Sequence, residues 1–506
     1  MQRLTPKQLD AVLPAVVSGF PSPIPTQIVS SEEYLPAPQT APQREVEARL
    51  KAWGAALAAQ QGLSRRRFFQ TAAGMAAAYV VMNQVYGPLF AASTAEATTP
   101  ELAEQRAQAL KGQIIFDAHT HFVRDDASAA VADPKRVGGL MWQRALTAKL
   151  GWNKDMAGKE QTIADIQFGT FVKEIYLDSD TTVALLTNAP SDAPEDWLLP
   201  QEQVFKARDQ VNRDAGSQRL LAHFTITPGQ PGWLEAVDQA IEVYKPDGWK
   251  GYTIGDVLLA HGGRYAYRLD DEQLMYPFYA KAVKSGIKTV CIHKGLFPLF
   301  AEQRLPRLAA FASVQDVGKA AQDWPQLNFA IYHSGFRHLG GPLTDGVNEW
   351  EQSGRLSWLS DLAEIPQRYG VTNVYGDLGA IFAWTVIAQP RLAAAMLGTL
   401  IKGLGADHVL WGTDSIWTGS PQWQIEALRR LEIPEDMLQQ QGFQPLGPAD
   451  GAVKNAIFAT NGFRLFGYEQ HTSVTRRDRF AAMKAAYEYH GAARSNRRYG
   501  YIHKPV

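Results

Sequence analysis

The sequence is poor in cysteine and carries almost no net charge. Cys291 is the only cysteine among 506 residues, which excludes an intrachain disulfide and any metal site built from two or more thiolates. The formal net charge of -1 and the pI of about 6.8 create no overall field that would attract nucleic acid or anionic lipid. Any bound metal must therefore be held mainly by histidine and carboxylate side chains.

Several catalytic signatures are absent as well. The sequence has no Gly-x-Ser-x-Gly nucleophile elbow, no His-Glu-x-x-His pair and no P-loop. No Gly-x-Gly-x-x-Gly follows the first predicted strand, which argues against a dinucleotide-binding sheet. Reactions that depend on these motifs are therefore poor explanations for the function of the chain.

The chain contains instead an alternation of short β-rich runs with helical segments. Eight runs can be counted, at residues 114–121, 181–188, 221–227, 248–254, 287–294, 328–334, 373–378 and 409–414. Strands that are apolar on both faces and separated by amphipathic helices are typical of a parallel sheet covered by helices. Eight such units favour a closed (β/α)8 TIM barrel, which we place at residues 105–470.

Three further segments surround the predicted barrel. Residues 1–62 contain proline-rich pieces and an amphipathic helix at 45–61, and they predict an irregular arm. The long interval 122–180 between the first two strands predicts a lid or flank over the barrel mouth. Residues 471–506 form a basic, tyrosine-rich tail. In a near-neutral chain this tail favours contact with a partner subunit in a homo-oligomer over contact with nucleic acid.

Residues 63–97 predict a targeting signal. The run Ser64-Arg65-Arg66-Arg67-Phe68-Phe69 resembles the twin-arginine export signal, and a small-residue apolar run follows it at 71–92. Polar residues, a glycine and a proline interrupt this run, so it is a poor membrane span. The resemblance implies recognition by the twin-arginine export machinery and a periplasmic or otherwise exported protein. An alanine-rich core helix with a basic start is the structural alternative.

Two histidines close the first predicted strand. His119 and His121 stand in the run FDAHTH, so a strand projects both from one face. Catalytic residues of a barrel lie at the carboxyl ends of its strands, where the fifth, sixth and eighth runs place His293, His333 and Asp414. Imidazole and carboxylate are ligands that suit a divalent cation. Satisfied core histidines and a helix-capping aspartate are the alternatives.

The motifs around these residues resemble the amidohydrolase superfamily, specifically its branch of metal-dependent hydrolases and non-oxidative decarboxylases. The matching runs within roughly residues 113–468 are FDAHTH, CIHKG, FAIYHSGF, VLWGTDS and NAIFATNGFRLFG. The resemblance implies one divalent metal bound by His119, His121, His293 and Asp414. It further implies that His333 acts as acid, base or orienting group, and that Asp414 accepts a proton. Zinc is the predicted metal, with manganese, cobalt or iron as alternatives.

Four other residues are candidate substrate contacts. Lys250 lies near the end of the fourth strand, where some binuclear amidohydrolases carry a carboxylated lysine. We favour a single metal here, with Lys250 in a substrate-binding or structural role. Lys294, Arg337 and Trp417 near the predicted mouth are candidate contacts for an anionic aromatic substrate, with a solvated or structural role as the alternative.

The sequence thus predicts a metal-dependent hydrolase that uses activated water to cleave an ester, lactone or amide bond of a small organic substrate. A metal-dependent decarboxylase of an aromatic or unsaturated carboxylic acid needs the same ligands and stays open. A non-catalytic barrel that serves as a binding or assembly subunit is the alternative from a different class.

Overall fold

Eight parallel strands form the central sheet of the chain. The computed structural model describes residues 11–14, 22–26, 38–124, 167–192, 197–255, 263–297, 299–338, 343–416, 420–468, 478–489 and 501–503. Each strand of the sheet pairs with the next one along the chain. The strands are β1 (Phe116–Thr120), β2 (Val183–Leu186), β3 (Leu220–Thr225), β4 (Gly248–Tyr252), β5 (Thr289–His293), β6 (Asn328–Tyr332), β7 (Val374–Asp377) and β8 (Val409–Leu410).

Hydrogen bonds between β1 and the segment that contains β8 close the sheet into a barrel. Ala118 N donates to Trp411 O at 2.9 Å, and Asp414 N donates to His119 O at 2.8 Å. Closure buries both faces of the sheet, which explains why the strands are apolar on both sides. The predicted (β/α)8 TIM barrel is confirmed, and each predicted β-rich run contains or overlaps one of these strands.

Helices cover the outside of the barrel because each has one apolar face. The Leu359–Tyr369 helix, for example, buries Leu359, Leu362, Ala363 and Ile365 at helical spacing. The α-helices from β1 onward are Phe168–Val172, Gln201–Ala215, Trp233–Gln239, Tyr276–Ser285, Leu299–Arg304, Ala309–Ala312, Val317–Asp323, Thr344–Ser353, Leu359–Tyr369, Ile381–Ala388, Pro390–Leu404, Gln422–Arg430, Glu435–Gln441, Ala452–Asn455, Asn461–Leu465 and Arg479–Tyr489. Residues Lys173–Leu177, Ala240–Tyr244 and Ala456–Thr460 form π-helical turns, and Pro306–Leu308, His333–Gly335 and Ala406–His408 form 3-10 turns.

Residues 38–115, which we call the N-terminal layer, pack as helices against the barrel. Their α-helices are Ala41–Gln60, Arg65–Phe68, Ala72–Tyr86, Thr94–Thr98 and Pro100–Leu110. The first of these helices begins with a capping box, in which Thr40 and Gln43 exchange side-chain to backbone hydrogen bonds. The predicted amphipathic helix at 45–61 therefore lies within Ala41–Gln60 and its C-cap.

The alanine-rich helix Ala72–Tyr86 is the most deeply buried part of this layer. Tyr79 Oη donates to Trp423 O at 3.0 Å, although the two residues are 344 positions apart. Nearby, Glu96 Oε1 pairs with Arg430 Nη2 at 2.6 Å. None of the helices in the described ranges is long and apolar enough to cross a membrane. Residues 63–97 thus occupy a packed position in the fold, while their export function stays a prediction.

The two ends of the chain meet in a short ribbon. Val12–Pro14 pairs antiparallel with Tyr501–His503. The helix Arg479–Tyr489 is fixed beside the barrel by Arg219, whose Nε lies 2.6 Å from Asp478 Oδ2. The lid assigned to 122–180 and the subunit contact assigned to 471–506 fall largely outside the described residues, and both stay predictions.

The pH dependence of the unfolding free energy tests whether Lys454 is buried as the structure shows. The residue is fully buried, and its Nζ donates to Arg429 O at 3.0 Å and lies 3.8 Å from Glu432 Oε1. Burial lowers the pKa of Lys454 to about 8, whereas lysine in an unfolded chain titrates near about 10.4. Below pH 8 the lysine is protonated in both the folded and the unfolded chain, and burial of its charge destabilises the folded state. As the pH rises from 8 to about 10.4, the lysine loses its proton in the folded state but not in the unfolded state, and this destabilisation disappears.

We therefore expect the free energy of unfolding to increase by about 3 kcal/mol between these pH values, relative to a Lys454→Met variant. Urea denaturation of both proteins across this range measures the difference. Parallel pH profiles of the two proteins would contradict the buried position of the lysine.

Candidate active site

Five side chains converge at the carboxyl ends of four strands. His119 and His121 lie at the end of β1, His293 ends β5, His333 follows β6 and Asp414 follows β8. In a closed parallel barrel these strand ends form one rim, so side chains that are far apart in sequence meet there. The structure brings all the predicted metal-site residues into one cluster.

His119, His121 and Asp414 form a close triangle of ligand atoms. His119 Nε2 lies 3.1 Å from His121 Nε2 and 3.3 Å from Asp414 Oδ1, and His121 Nε2 lies 3.1 Å from the same oxygen. Ligands that bind zinc tetrahedrally at about 2.0–2.1 Å are about 3.3 Å from one another. The observed separations fit one divalent ion bound by all three residues.

His293 and His333 form a second pair in the same cluster. His333 Nε2 lies 3.0 Å from His293 Nδ1, and His333 Nδ1 lies 2.8 Å from Gly379 O. A carbonyl oxygen only accepts, so Nδ1 of His333 carries the proton and Nε2 carries the lone pair. A ligand atom of His333 lies within 4.8 Å of ligand atoms of His119 and Asp414. His333 is therefore close enough to act on an ion or on groups bound to it.

The ring of Tyr252 stacks against the ring of His293. The two rings stack with centroids 5.1 Å apart and an angle of 24° between their planes. Tyr252 Oη also donates to Asn188 O at 2.9 Å. The tyrosine ends β4 and was not among the predicted site residues, because its type alone does not distinguish it from ordinary core aromatics.

Burial keeps His119, His293 and His333 neutral. It lowers the pKa of His119 well below the usual value, and the nearby Lys250 lowers it further. Burial likewise lowers the pKa of His293 strongly and that of His333 to about 4. Metal binding requires neutral imidazoles with a free lone pair. The apolar surroundings therefore prepare these side chains for a cation.

The backbone is left-handed where two of the clustered side chains leave it. The φ angles are 63° at His333, 47° at Ser334 and 59° at Asp414. Residues other than glycine rarely adopt the left-handed conformation. Where they do so at functional sites, contacts with the surrounding structure hold the backbone in that conformation. Ser334 Oγ donates to Asp377 O at 2.8 Å and helps to hold the turn after β6. The strained turns fix the directions of the His333 and Asp414 side chains.

Asp377, at the end of β7, was not among the predicted site residues. Its Oδ2 lies 3.0 Å from His119 Nδ1 and accepts the N–H of Gly379 at 3.0 Å. Because this oxygen accepts, Nδ1 of His119 donates the proton and Nε2 keeps a lone pair for a metal. Burial raises the pKa of Asp377, and Lys250 opposes this shift. Asp377 stands at a strand end as the predicted histidines do, so its position in the sequence is the signal that identifies it.

Asp117 connects the first and last strands behind the cluster. Its Oδ1 accepts the N–H groups of His119 and Thr413, both at 3.1 Å, and its Oδ2 accepts Thr413 Oγ1 at 2.5 Å. Burial raises the pKa of Asp117 to about 7. These bonds hold β1 in register with the segment that leads to Asp414. Asp117 and Thr413 are far apart in the sequence, and no spacing pattern signals their contact.

Gly412 and Gly379 lie so close to Asp377 and His119 that a Cβ atom at either position would clash with this pair. A Cβ atom at Gly412 would lie 2.0 Å from Asp377 Oδ1, and one at Gly379 would lie 2.3 Å from His119 Nδ1. We expect Gly412→Ala to displace this pair and to weaken zinc binding by about 10- to 100-fold, as the loss of a ligand's hydrogen-bond partner does. Calorimetric zinc titration measures the change.

Gly169→Ala is the matched control, because nothing lies within 4 Å of a Cβ atom at that position. Equal zinc affinities of Gly412→Ala and the unmodified protein would contradict this arrangement of Asp377 and His119.

Lys250 lies inside the barrel rather than at its mouth. The residue is fully buried on β4, and its Nζ lies 3.6 Å from the centroid of the Tyr332 ring. Within the described ranges this Nζ has no hydrogen-bond partner. Burial lowers the pKa of Lys250 to about 7. Both roles predicted for this lysine, substrate binding and a structural role, stay predictions.

Lys294 is engaged in a buried ion pair. Its Nζ contacts the two carboxylate oxygens of Asp316 at 2.7 and 2.9 Å and Phe311 O at 2.8 Å. These contacts occupy all three N–H donors of the ammonium group. The geometry therefore leaves Lys294 no donor for a substrate and gives it the structural role that was the alternative.

Arg337 is paired as well. It forms an ion pair with Glu302, and its guanidinium carbon lies 5.0 Å from the centroid of the Trp358 ring. Trp417, the remaining candidate for substrate contact, lies outside the described residues. The substrate-binding roles of Arg337 and Trp417 stay predictions.

Comparisons with known proteins found one matching family and several similar solved structures. Three similar solved structures are the 2,6-dihydroxybenzoate decarboxylase from Rhizobium (16% identity, TM-score 0.38, 70% of this chain and 98% of that chain covered), the 5-carboxyvanillate decarboxylase from Sphingomonas paucimobilis (14%, 0.39, 70% and 98%) and a probable 2-pyrone-4,6-dicarboxylic acid hydrolase from Acinetobacter baumannii (12%, 0.38, 70% and 99%). No curated protein matches the chain. The family model described as amidohydrolase matches residues 116–468, more than half of the sequence. The chain therefore belongs to the amidohydrolase family.

Proposed function

We propose that the chain is a metal-dependent hydrolase that cleaves an ester, lactone or amide bond of a small organic substrate. The observation that carries this proposal is the triangle of His119 Nε2, His121 Nε2 and Asp414 Oδ1, with sides of 3.1 to 3.3 Å. His293 and His333 extend the triangle to a five-residue cluster at the rim where barrel enzymes carry out their chemistry.

The ligand atoms of His119, His121 and Asp414 have the spacing expected around one divalent ion. His119, His121, His293 and Asp414 would hold it, because neutral imidazoles and a carboxylate suit zinc, manganese, cobalt and iron. When bound, such an ion lowers the pKa of water and polarises a carbonyl group. Asp377 acts through His119 and is a positioning residue.

Asp414 and His333 are the groups placed to move protons. Asp414 Oδ1 lies beside the Nε2 atoms of both His119 and His121, where its carboxylate can accept a proton from water. His333 donates from Nδ1 to Gly379 O and so presents the lone pair of Nε2 to the cluster. His333 Nε2 can hold the attacking water in line or accept its proton.

A neutral His333 suits hydrolysis, in which a group must accept a proton from water. Burial lowers the pKa of His333 to about 4, so the ring is a proton acceptor at pH 7. Hydrolysis needs a group that accepts a proton from water, whereas decarboxylation needs an acid that protonates carbon. Decarboxylation is the alternative reaction for the same ligand set.

A product assay separates the two reactions. The full-length protein, loaded with zinc or with manganese, is incubated with esters, lactones and hydroxybenzoates while acid release and carbon dioxide release are both measured. We expect acid release from an ester or lactone, reduced by about 100-fold or more in His333→Ala. His408→Ala is the matched control, because His408 lies before β8, at the opposite end of the barrel. Carbon dioxide release without acid release would overturn the hydrolase proposal.

A further inference from the structure

Lys250 is a buried charged residue to which the proposed chemistry gives no task. It lies on β4, where it pairs with Thr225 of β3 and Cys291 of β5, and its side chain has no exposed surface. Its Nζ has no hydrogen-bond partner among the residues that the structure describes. Buried polar groups are normally hydrogen-bonded, and an unpaired buried charge is costly. Another kind of contact must therefore compensate the ammonium group.

Two tyrosine rings contact this ammonium group. Lys250 Nζ lies 3.6 Å from the centroid of the Tyr332 ring and 5.0 Å from the centroid of the Tyr252 ring. Tyr252 is two residues after Lys250 on β4, so both side chains point to the same face of the sheet. A cation within about 6 Å of a ring centroid is attracted by the negative face of the ring, most strongly where water is excluded. The lysine and the two rings therefore hold one another in position.

Each of the two rings also packs against a histidine of the metal cluster. The ring centroids of Tyr332 and His119 are 4.2 Å apart, and those of Tyr252 and His293 are 5.1 Å apart. Tyr332 Oη further donates to Ala118 O at 2.5 Å, next to His119 in β1. Protein interiors are close-packed, so a shift of either tyrosine ring displaces the imidazole that it contacts. The two tyrosines thus connect Lys250 to two of the predicted metal ligands.

The same contacts fit the other roles of Lys250 less well. A substrate contact needs an exposed donor, and this side chain has no exposed surface. A carboxylated lysine that bridges two metals is anionic, and the negative face of an aromatic ring repels an anion. The Tyr332 ring, 3.6 Å from Nζ, therefore favours an ammonium group at this position.

We propose that Lys250 is a positioning residue, which holds His119 and His293 in place for the metal through the rings of Tyr332 and Tyr252. This inference rests on the metal site of the proposed function, but not on which bond the enzyme cleaves. Lys250 acts in the same manner as Asp377, which also touches a ligand rather than the ion.

Calorimetric zinc titration of the full-length protein tests the proposal at about pH 6, below the pKa of about 7 that burial gives Lys250. Lys250→Met replaces the charged group by an apolar chain of similar length. We expect this variant to bind zinc about 10-fold more weakly, as the loss of a contact that orients a ligand does. The visible absorption spectrum of the cobalt-loaded protein should change as well, because it reports the geometry of the ligands.

Lys454→Met is the matched control. Lys454 is also fully buried, but its Nζ donates to Arg429 O, away from the metal cluster. This variant should keep the zinc affinity and the cobalt spectrum of the unmodified protein. Thermal unfolding of each variant without metal checks that it folds.

A second background tests whether the effect passes through the tyrosine rings. In a Tyr332→Leu protein, Lys250→Met should change the zinc affinity by less than about twofold, because residues that act through one contact are not additive. Tyr252→Leu provides another background, in which the effect should be reduced. An equal loss of affinity in all three backgrounds would mean that Lys250 acts by its charge alone, and would overturn the proposal.

The outcome also separates this inference from the proposed metal site. An unchanged or higher zinc affinity of Lys250→Met, or an unchanged cobalt spectrum, would overturn the role of Lys250 and leave the metal site intact. A carboxylated Lys250, detected by carbon-13 NMR after addition of labelled bicarbonate, would overturn it as well. Absence of zinc binding by the unmodified protein would overturn both proposals.

Discussion

Replacing Asp414 with asparagine is expected to lower kcat/KM by about 1,000-fold or more while leaving thermal stability nearly unchanged. The backbone at this position has a φ of 59°, a left-handed conformation that asparagine tolerates as well as aspartate does. The amide has no negative charge, so the variant loses both a metal ligand and a proton acceptor beside His119 and His121. Steady-state kinetics on the substrate found by the product assay measure the loss.

Asp407→Asn is the matched control for this substitution. Asp407 is an exposed aspartate that pairs with His408 at 2.9 Å, away from the metal cluster. Its replacement should leave kcat/KM within about twofold of the unmodified value, as expected of a surface change. If Asp414→Asn were as active as Asp407→Asn, Asp414 would not be part of the catalytic machinery.

Removal of residues 1–97 is expected to prevent the chain from folding. The deletion removes the Ala72–Tyr86 helix, in which nine of 15 residues are buried. Fully burying a large apolar side chain contributes about 1.5–3 kcal/mol, and Phe68, Phe69, Tyr79 and Met82 are each 2% exposed or less. The deletion also leaves Arg430, at 3% side-chain exposure, without Glu96. Together these losses are comparable to the whole net stability of about 5–15 kcal/mol that proteins have.

Near-UV circular dichroism and size-exclusion chromatography of the shortened protein measure this outcome. Deletion of residues 1–10 alone is the control, because it retains every described element. A Glu96→Gln variant tests the same interface without a deletion, and it should lose about 3 kcal/mol of unfolding free energy. A monodisperse, cooperatively unfolding protein without residues 1–97 would show that this segment is dispensable, as a cleaved export leader would be.

The barrel could be predicted from the sequence because its strands are buried on both faces. That burial produces apolar runs such as those of β5 and β6, which end in His293 and His333. The rule that strand ends share one rim then brought these histidines together with His119 and His121. Asp377 obeys the same rule at the end of the seventh strand, although it was not among the predicted site residues.

Other features depend on contacts that no local pattern contains. Lys294 directly follows β5, and this position predicts a side chain at the mouth of the barrel. Instead, its ammonium group forms a buried ion pair with Asp316. Asp117 contacts Thr413 across most of the chain. An alanine-rich run has the same composition in an export leader as in a core helix. Partners such as Trp423 and Arg430, which bury the segment 63–97, are distant in sequence.

Metal analysis of the purified full-length protein tests the central claim most directly. Elemental analysis by mass spectrometry should find about one divalent ion per chain in the unmodified protein and much less in Asp414→Asn. Chelation should remove this ion together with the activity, and addition of zinc or manganese should restore both. Protein that holds no divalent ion after supplementation, or that keeps full activity after complete chelation, would contradict a metal site at His119, His121, His293 and Asp414.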